Sequence, residues 1–88
     1  MSEQNKKIIA GLHRKDLTNI KFASALLDMA IEEKKDDLNF ALQQAKEVQQ
    51  IAARESRKKN SIEFATLYWK ATLMLAPYFF EDFLYYME

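Results

Sequence analysis

Leu38-Asn39-Phe40-Ala41-Leu42-Gln43-Gln44-Ala45-Lys46-Glu47-Val48-Gln49-Gln50-Ile51-Ala52-Ala53-Arg54 decides the fold class. Leu38, Ala41, Ala45, Val48 and Ala52 recur at alternating spacings of three and four, with Leu42 and Ile51 beside them. That is one face of a helix. Gln43, Lys46, Glu47, Gln50 and Arg54 fall on the other face. The pattern predicts an amphipathic helix over 38–54, entered through Asp36 or Asp37 as N-cap. Its alanine-rich seam implies either a close neighbouring helix or a thin core.

Towards the C-terminus, Arg54-Glu55-Ser56-Arg57-Lys58-Lys59-Asn60 is polar throughout and reads as a break, with its cations at the end of a helix where positive charge is favoured. Asn60 and Glu63 have capping-box spacing, and Ser61 competes as the cap. A helix is predicted over 61–75, with Phe64, Leu67, Tyr68, Ala71 and Leu75 as its core stripe. The short turn before it makes 38–54 and 61–75 an antiparallel pair. Ala76-Pro77 marks a boundary, because the residue before proline avoids helical angles and proline suits a first turn. A fifth segment over 77–88 would place Phe80, Phe83, Leu84 and Met87 on one side.

Towards the N-terminus, Ile20, Ala23, Leu27 and Ala30 define a second helix over 19–33, widened by Phe22, Leu26 and Met29. Asp16 and Thr18 are both candidate N-caps for it. Residues 1–7 are polar and expected to fray, and Ile8, Ile9 and Leu12 form a small apolar cluster, read as one or two helical turns weakened by Gly11. The whole is expected to be one all-α module, a small bundle of four to five short helices, with residues 1–17 the least ordered.

Composition agrees. Gly11 and Pro77 are the only glycine and proline in 88 residues, too few for the turns of a sheet protein. No cysteine is present, so disulfides and thiolate metal sites are excluded. Thirteen basic and thirteen acidic residues cancel, giving no global pull towards nucleic acid or anionic lipid. The longest uncharged run, Ala71 to Phe80, is half the ~20 residues a spanning helix needs. The N-terminus lacks the apolar stretch of a signal peptide. A cytoplasmic protein with no membrane association is expected.

No pattern of catalytic residues emerges, and no cofactor or metal is expected. His13 is the only histidine and lies among Arg14 and Lys15. It has no second nitrogen or sulfur ligand for a metal and no evident orienting carboxylate. Glu32-Glu33, Asp36-Asp37 and Glu81-Asp82 are sequence neighbours, which point about 100° apart on a helix and do not converge. A phosphate loop needs more than one glycine. Arg54, Arg57, Lys58 and Lys59 form the one basic cluster and are weak candidates for phosphate contacts, diluted by Glu47, Glu55 and Glu63.

Nine of the eleven aromatic residues fall between Phe64 and Glu88. A helical core accounts for about half of the large apolar groups there. Trp69, Leu73, Tyr78, Phe79, Tyr85 and Tyr86 are left on other faces, where they predict a protein interface. No glycine or basic last turn closes the chain, so a continuation beyond Glu88 is expected.

The order of these residues adds a resemblance. Leu67-Tyr68-Trp69-Lys70-Ala71-Thr72-Leu73-Met74-Leu75-Ala76-Pro77-Tyr78-Phe79-Phe80-Glu81-Asp82-Phe83-Leu84-Tyr85-Tyr86-Met87-Glu88 resembles the N-terminal leader of large terminase subunits of tailed phages and prophages of Gram-positive bacteria. In that family an apolar-aromatic helical stretch ending in a Tyr-Met-Glu-like triplet precedes a basic segment and an ATPase domain. The resemblance implies a leader piece of a DNA-packaging motor, in which the parent protein hydrolyses ATP and cuts DNA with a metal-dependent nuclease domain. None of the family's catalytic residues falls within these 88, so the module itself would be no enzyme. Its partners would be the remainder of the same chain, the small terminase subunit or a second copy, with nucleic acid reached only indirectly. A free-standing helical adaptor using the same aromatic end is the alternative. A helix-turn-helix DNA binder is the third, with Gln43, Gln44, Lys46, Gln49 and Gln50 as base-reading candidates.

Overall fold

The computed structural model describes the backbone of residues 2–87 and the side chains of residue 4 and residues 7–78. The chain is all-α. Helix α1 (Ser2–Ala10) leads into a 3-10 turn (Arg14–Thr18), followed by α2 (Ile20–Glu33), α3 (Leu38–Lys59) and α4 (Ile62–Met87).

Helix α3 is the central element. Gln49 Nε2 donates to Thr72 Oγ1 at 3.0 Å, and Lys59 Nζ lies 5.2 Å from the Phe64 ring centre. Ten residues back along α3 therefore correspond to eight forward along α4, and the two helices are antiparallel. Helix α2 runs alongside α4 in the same direction, through Lys70 Nζ to Asp28 Oδ1 at 3.3 Å and Lys34 Nζ 5.8 Å from the Tyr78 ring centre. The result is an up-down-up arrangement, with α2 and α4 packed mainly on α3 and little on each other.

The bundle is thin. Its extents are 40 × 35 × 16 Å, and its shortest dimension accommodates about two helices at the 8–10 Å spacing of packed axes. The alanine seam explains this thinness. Ala23, Ala30, Ala41, Ala45, Ala52 and Ala71 are all completely buried, so the helix backbones approach closely. Leu26, Leu27, Val48, Ile51, Phe64, Leu67 and Leu75 fill the space between them. Each belongs to a face expected from the spacing, and the core stripe of α4 is found as predicted apart from the half-buried Tyr68, whereas Phe22 and Leu38, expected on buried faces of α2 and α3, are exposed.

Several boundaries differ from expectation. The start of the chain is helical from Ser2, anchored by the buried Ile9. Asn19, not Asp16 or Thr18, caps α2 by accepting from Lys21 N at 2.9 Å. Asp16 and Thr18 instead serve the 3-10 turn: Asp16 Oδ2 accepts from His13 N at 2.9 Å, and Thr18 Oγ1 donates to Lys15 O at 2.8 Å. Asp37 does cap α3, accepting from Phe40 N at 3.1 Å.

The polar stretch 54–59 extends α3 instead of breaking it. An i,i+4 pair between Glu55 and Lys59 spans its last turn, and Arg57 Nε and Ser56 Oγ both donate to Ala53 O. Asn60 then takes left-handed angles (φ 50°, ψ 48°), and the N–H groups of Asn60 and Ser61 both close onto Ser56 O. This is a helix C-terminal motif. Ser61 opens the next helix by accepting from Phe64 N at 3.2 Å, so Asn60 and Glu63 form no capping box.

The largest correction is at Ala76-Pro77, where no boundary exists. Helix α4 continues through Pro77 as one 26-residue element. Interior proline costs roughly 3 kcal/mol, because it removes a hydrogen bond and crowds the carbonyl four residues back. Here that carbonyl belongs to Leu73, on the solvent-facing side with the exposed Pro77, where water can satisfy it. Leu75 and Tyr78, either side of the proline, hold the helix against its neighbours. Tertiary packing overrides the local preference.

Candidate docking surface

Helix α4 is apolar on two opposite faces. Phe64, Leu67, Ala71 and Leu75 are no more than 4 % exposed and face the core. Ile62, Trp69 and Leu73 are 83 %, 62 % and 71 % exposed. At 100° per residue these three fall within about 40° of one another, and about 180° from Ala71. With the exposed Thr66 between them they follow spacings of four, three and four, the seam of a helix that pairs with another helix.

Local sequence sets this phase. Ser61 as N-cap makes Ile62 the first residue of the helix, so the outer stripe begins at its N-terminus. The Trp69 indole meets the Tyr68 ring edge-on, with centres 5.6 Å apart and planes at 69°. Tyr68 reaches inward, so this contact holds Trp69 from behind while leaving it exposed. Glu63 and Lys70 flank the stripe on the α2 side. Lys70 pairs with Asp28 there, and a shallow groove between the helices carries the apolar surface from Ile62 across to Ile20. On the α3 side Thr72 Oγ1 donates to Tyr68 O at 2.8 Å and accepts from Gln49.

Of the six residues expected to form an interface, Trp69 and Leu73 are brought together on this stripe. Tyr78 is not; it is half-buried on the core side beneath the Lys34 ammonium, a cation–π contact that ties α4 to the end of α2. Phe79, Tyr85 and Tyr86 lie outside the described side chains, as do Phe80, Phe83, Leu84 and Met87. Ile62 is the member that sequence reading missed. Its signal was present, seven residues before Trp69, but a break assigned to residues 54–60 obscured where the helix begins.

The chain matches no family model, no curated protein and no solved structure.

Two members of the basic cluster are engaged within the fold. Lys59 Nζ lies 3.1 Å from Glu55 Oε1 and donates to Thr18 O at 2.6 Å. Arg54 Nε is 3.9 Å from Glu55 Oε2. Arg57 and Lys58 remain exposed. Because Lys59 reaches Thr18, the 3-10 turn and the start of α2 meet the end of α3 at one pole of the bundle. That pole holds Lys15, Lys21, Arg54, Arg57, Lys58 and Lys59 against Asp16, Glu55 and Glu63. The other end, around the α2–α3 turn, holds Glu32, Glu33, Asp36 and Asp37 against Lys34 and Lys35. Among the described residues, the two ends of the bundle thus differ in the sign of their charge excess.

Gln49, a base-reading candidate, is engaged with Thr72, and Arg14 pairs with Glu47 on the outer side of α3. Among the described residues no three His, Asp or Glu side chains gather where they could hold a metal ion, and no helix is long and apolar enough to cross a membrane.

Proposed function

We propose that this chain is a non-catalytic helical docking module that works through the outer face of α4. The alignment of exposed Ile62, Trp69 and Leu73 on one stripe carries the proposal. Single exposed apolar residues are ordinary, but contiguous bulky ones mark interaction sites. A helix apolar on both faces has the composition of one enclosed on both sides.

The resemblance of about residues 64–88 to large-terminase leaders supplies a setting. In that setting the chain is the N-terminal module of a phage DNA-packaging motor in the host cytoplasm. ATP hydrolysis and DNA cutting reside elsewhere in the motor, and the module docks to the rest of the chain, the small subunit or another large subunit. The adaptor reading uses the same stripe without that parent.

The test replaces Trp69 and Leu73 together by serine. Both side chains are exposed, so helical circular dichroism and melting temperature should stay near wild type. Wild-type protein should either bind an apolar-surface dye or associate in solution, and the double variant should do neither. A wild-type monomer that binds no dye would remove the proposal. Reading the gene past codon 88 separates the settings: a downstream phosphate loop supports the packaging motor, and an immediate stop codon supports the adaptor.

A further inference from the structure

We infer that the partner of the α4 outer face is a second copy of this chain, paired antiparallel along α4 about a two-fold axis between Thr66 and Trp69. The inference rests on the docking role proposed above and names its occupant.

The stripe is complementary to its own reverse. An axis between Thr66 and Trp69 sets the bulky Trp69 of each copy over the small Thr66 of the other, and Ile62 over Leu73. Large side chains then meet small ones at the centre and branched aliphatic ones meet at the edges, as packing into a facing helix requires. A parallel pairing would stack Trp69 on Trp69 and Thr66 on Thr66, crowding one layer and leaving a gap in the next.

Charge favours the same orientation. Glu63 and Lys70 flank the stripe on one side, seven residues apart, and reversal brings Glu63 of each copy towards Lys70 of the other. Both are solvent-exposed, and the Asp28 contact of Lys70 is an open surface pair free to rearrange. On a larger scale, reversal directs the basic pole of each copy, with Arg57 and Lys58, towards the carboxylate-rich end of its partner. A parallel dimer would set like poles side by side, which costs free energy.

The apolar area available is small. Ile62, Trp69 and Leu73 leave roughly 400 Å² of side chain exposed, given that large apolar side chains bury on the order of 150–250 Å² each. That is about half of the ~800 Å² per partner of a standard interface, and the flanking Thr66, Glu63, Lys70 and Thr72 add to it. Interfaces of this size are weak and transient, so association is expected only at high protein concentration.

Sedimentation equilibrium on the full chain, from micromolar to roughly millimolar concentration, tests association, since two-state assembly is set by mass action. Dimer formation is expected, weakened at least ~100-fold by Trp69→Lys or by Leu73→Lys with helical content unchanged. Orientation is read by cross-linking. The chain contains no cysteine, so Ile62→Cys and Leu73→Cys each place a single thiol. A short bis-maleimide should join the two variants when mixed but neither to itself, because like positions lie roughly 17 Å apart along an antiparallel pair. Self-cross-linking of Ile62→Cys alone would overturn the antiparallel pairing. A monomer at every concentration that still binds apolar dye through Trp69 would overturn the second copy as occupant while leaving the docking surface standing. A monomer that binds no dye would remove both.

Discussion

Lys59 and Thr18 are 41 residues apart in the chain, yet the Lys59 ammonium donates to the Thr18 carbonyl at 2.6 Å while lying 3.1 Å from Glu55. One cation thus ties the 3-10 turn that precedes α2 to the end of α3, and its position over the Phe64 ring extends the tie to α4. The Glu55 carboxylate is 3 % exposed and depends on this partner, whereas the Lys59 side chain is 47 % exposed. Lys59→Met should therefore destabilise the bundle by about 2 kcal/mol, below the cost of breaking a fully enclosed pair because water reaches the lysine side. Lys58→Met, one residue away and exposed, should change stability by less than about 0.5 kcal/mol. Urea unfolding followed by circular dichroism compares them, and equal effects would show that Lys59 is only a surface charge.

The thin core makes a second prediction. Ala45 is completely buried at the centre of α3. Ala45→Leu inserts three carbons where helix backbones approach closely, and should cost about 1–3 kcal/mol through overpacking. Gln43→Leu, on the exposed side of the same helix, should be nearly neutral to stability. A denaturant series on both variants checks this, and an Ala45→Leu protein as stable as wild type would mean the helices can separate at no cost.

How much of this was legible depends on the kind of signal. The Ala41–Ala52 part of the seam and the Phe64–Leu75 stripe declare buried faces because burial imposes a helical period on residue type, whereas Leu38, at the seam's start, is exposed. Their antiparallel pairing follows from the short turn between them. Breaks were harder to read. Residues 54–59 have a polar composition that suits a loop and an exposed helix end equally, and the deciding contacts, Lys59 to Thr18 and Ile9 to the core, are long-range. Pro77 carries a strong local preference that packing on both sides overrides. The outer stripe was half visible: Trp69 and Leu73 stand out by type, but Ile62 joins them only once Ser61 is known to be the cap. The two charge poles were invisible in a neutral composition, since they depend on which ends of which helices meet.

The turn between α3 and α4 makes a third prediction. Asn60 is the one non-glycine residue with positive φ among the described residues. Asparagine tolerates these angles better than residues whose side chain cannot bond locally, and glycine tolerates them best. Asn60→Gly should preserve stability or raise it by up to about 0.5 kcal/mol, and Asn60→Ala should lower it by about 1 kcal/mol. Thermal melts of the two variants decide the matter. An alanine variant as stable as wild type would mean that the turn has another backbone conformation open to it.

Pro77 gives the sharpest test of the fold. If α4 is one helix, proline there lacks a backbone donor for Leu73 O and crowds that carbonyl, a penalty that packing on either side outweighs but does not remove. Pro77→Ala should then relieve it, raising stability by about 1–3 kcal/mol and strengthening the helical circular dichroism signal. If the chain instead turned at Ala76-Pro77, the proline would occupy a favourable first-turn position, and alanine would bring no gain or a small loss. Since Pro77 is exposed, the substitution opens no cavity in the core, and the sign of the change in melting temperature distinguishes a continuous helix from a broken one.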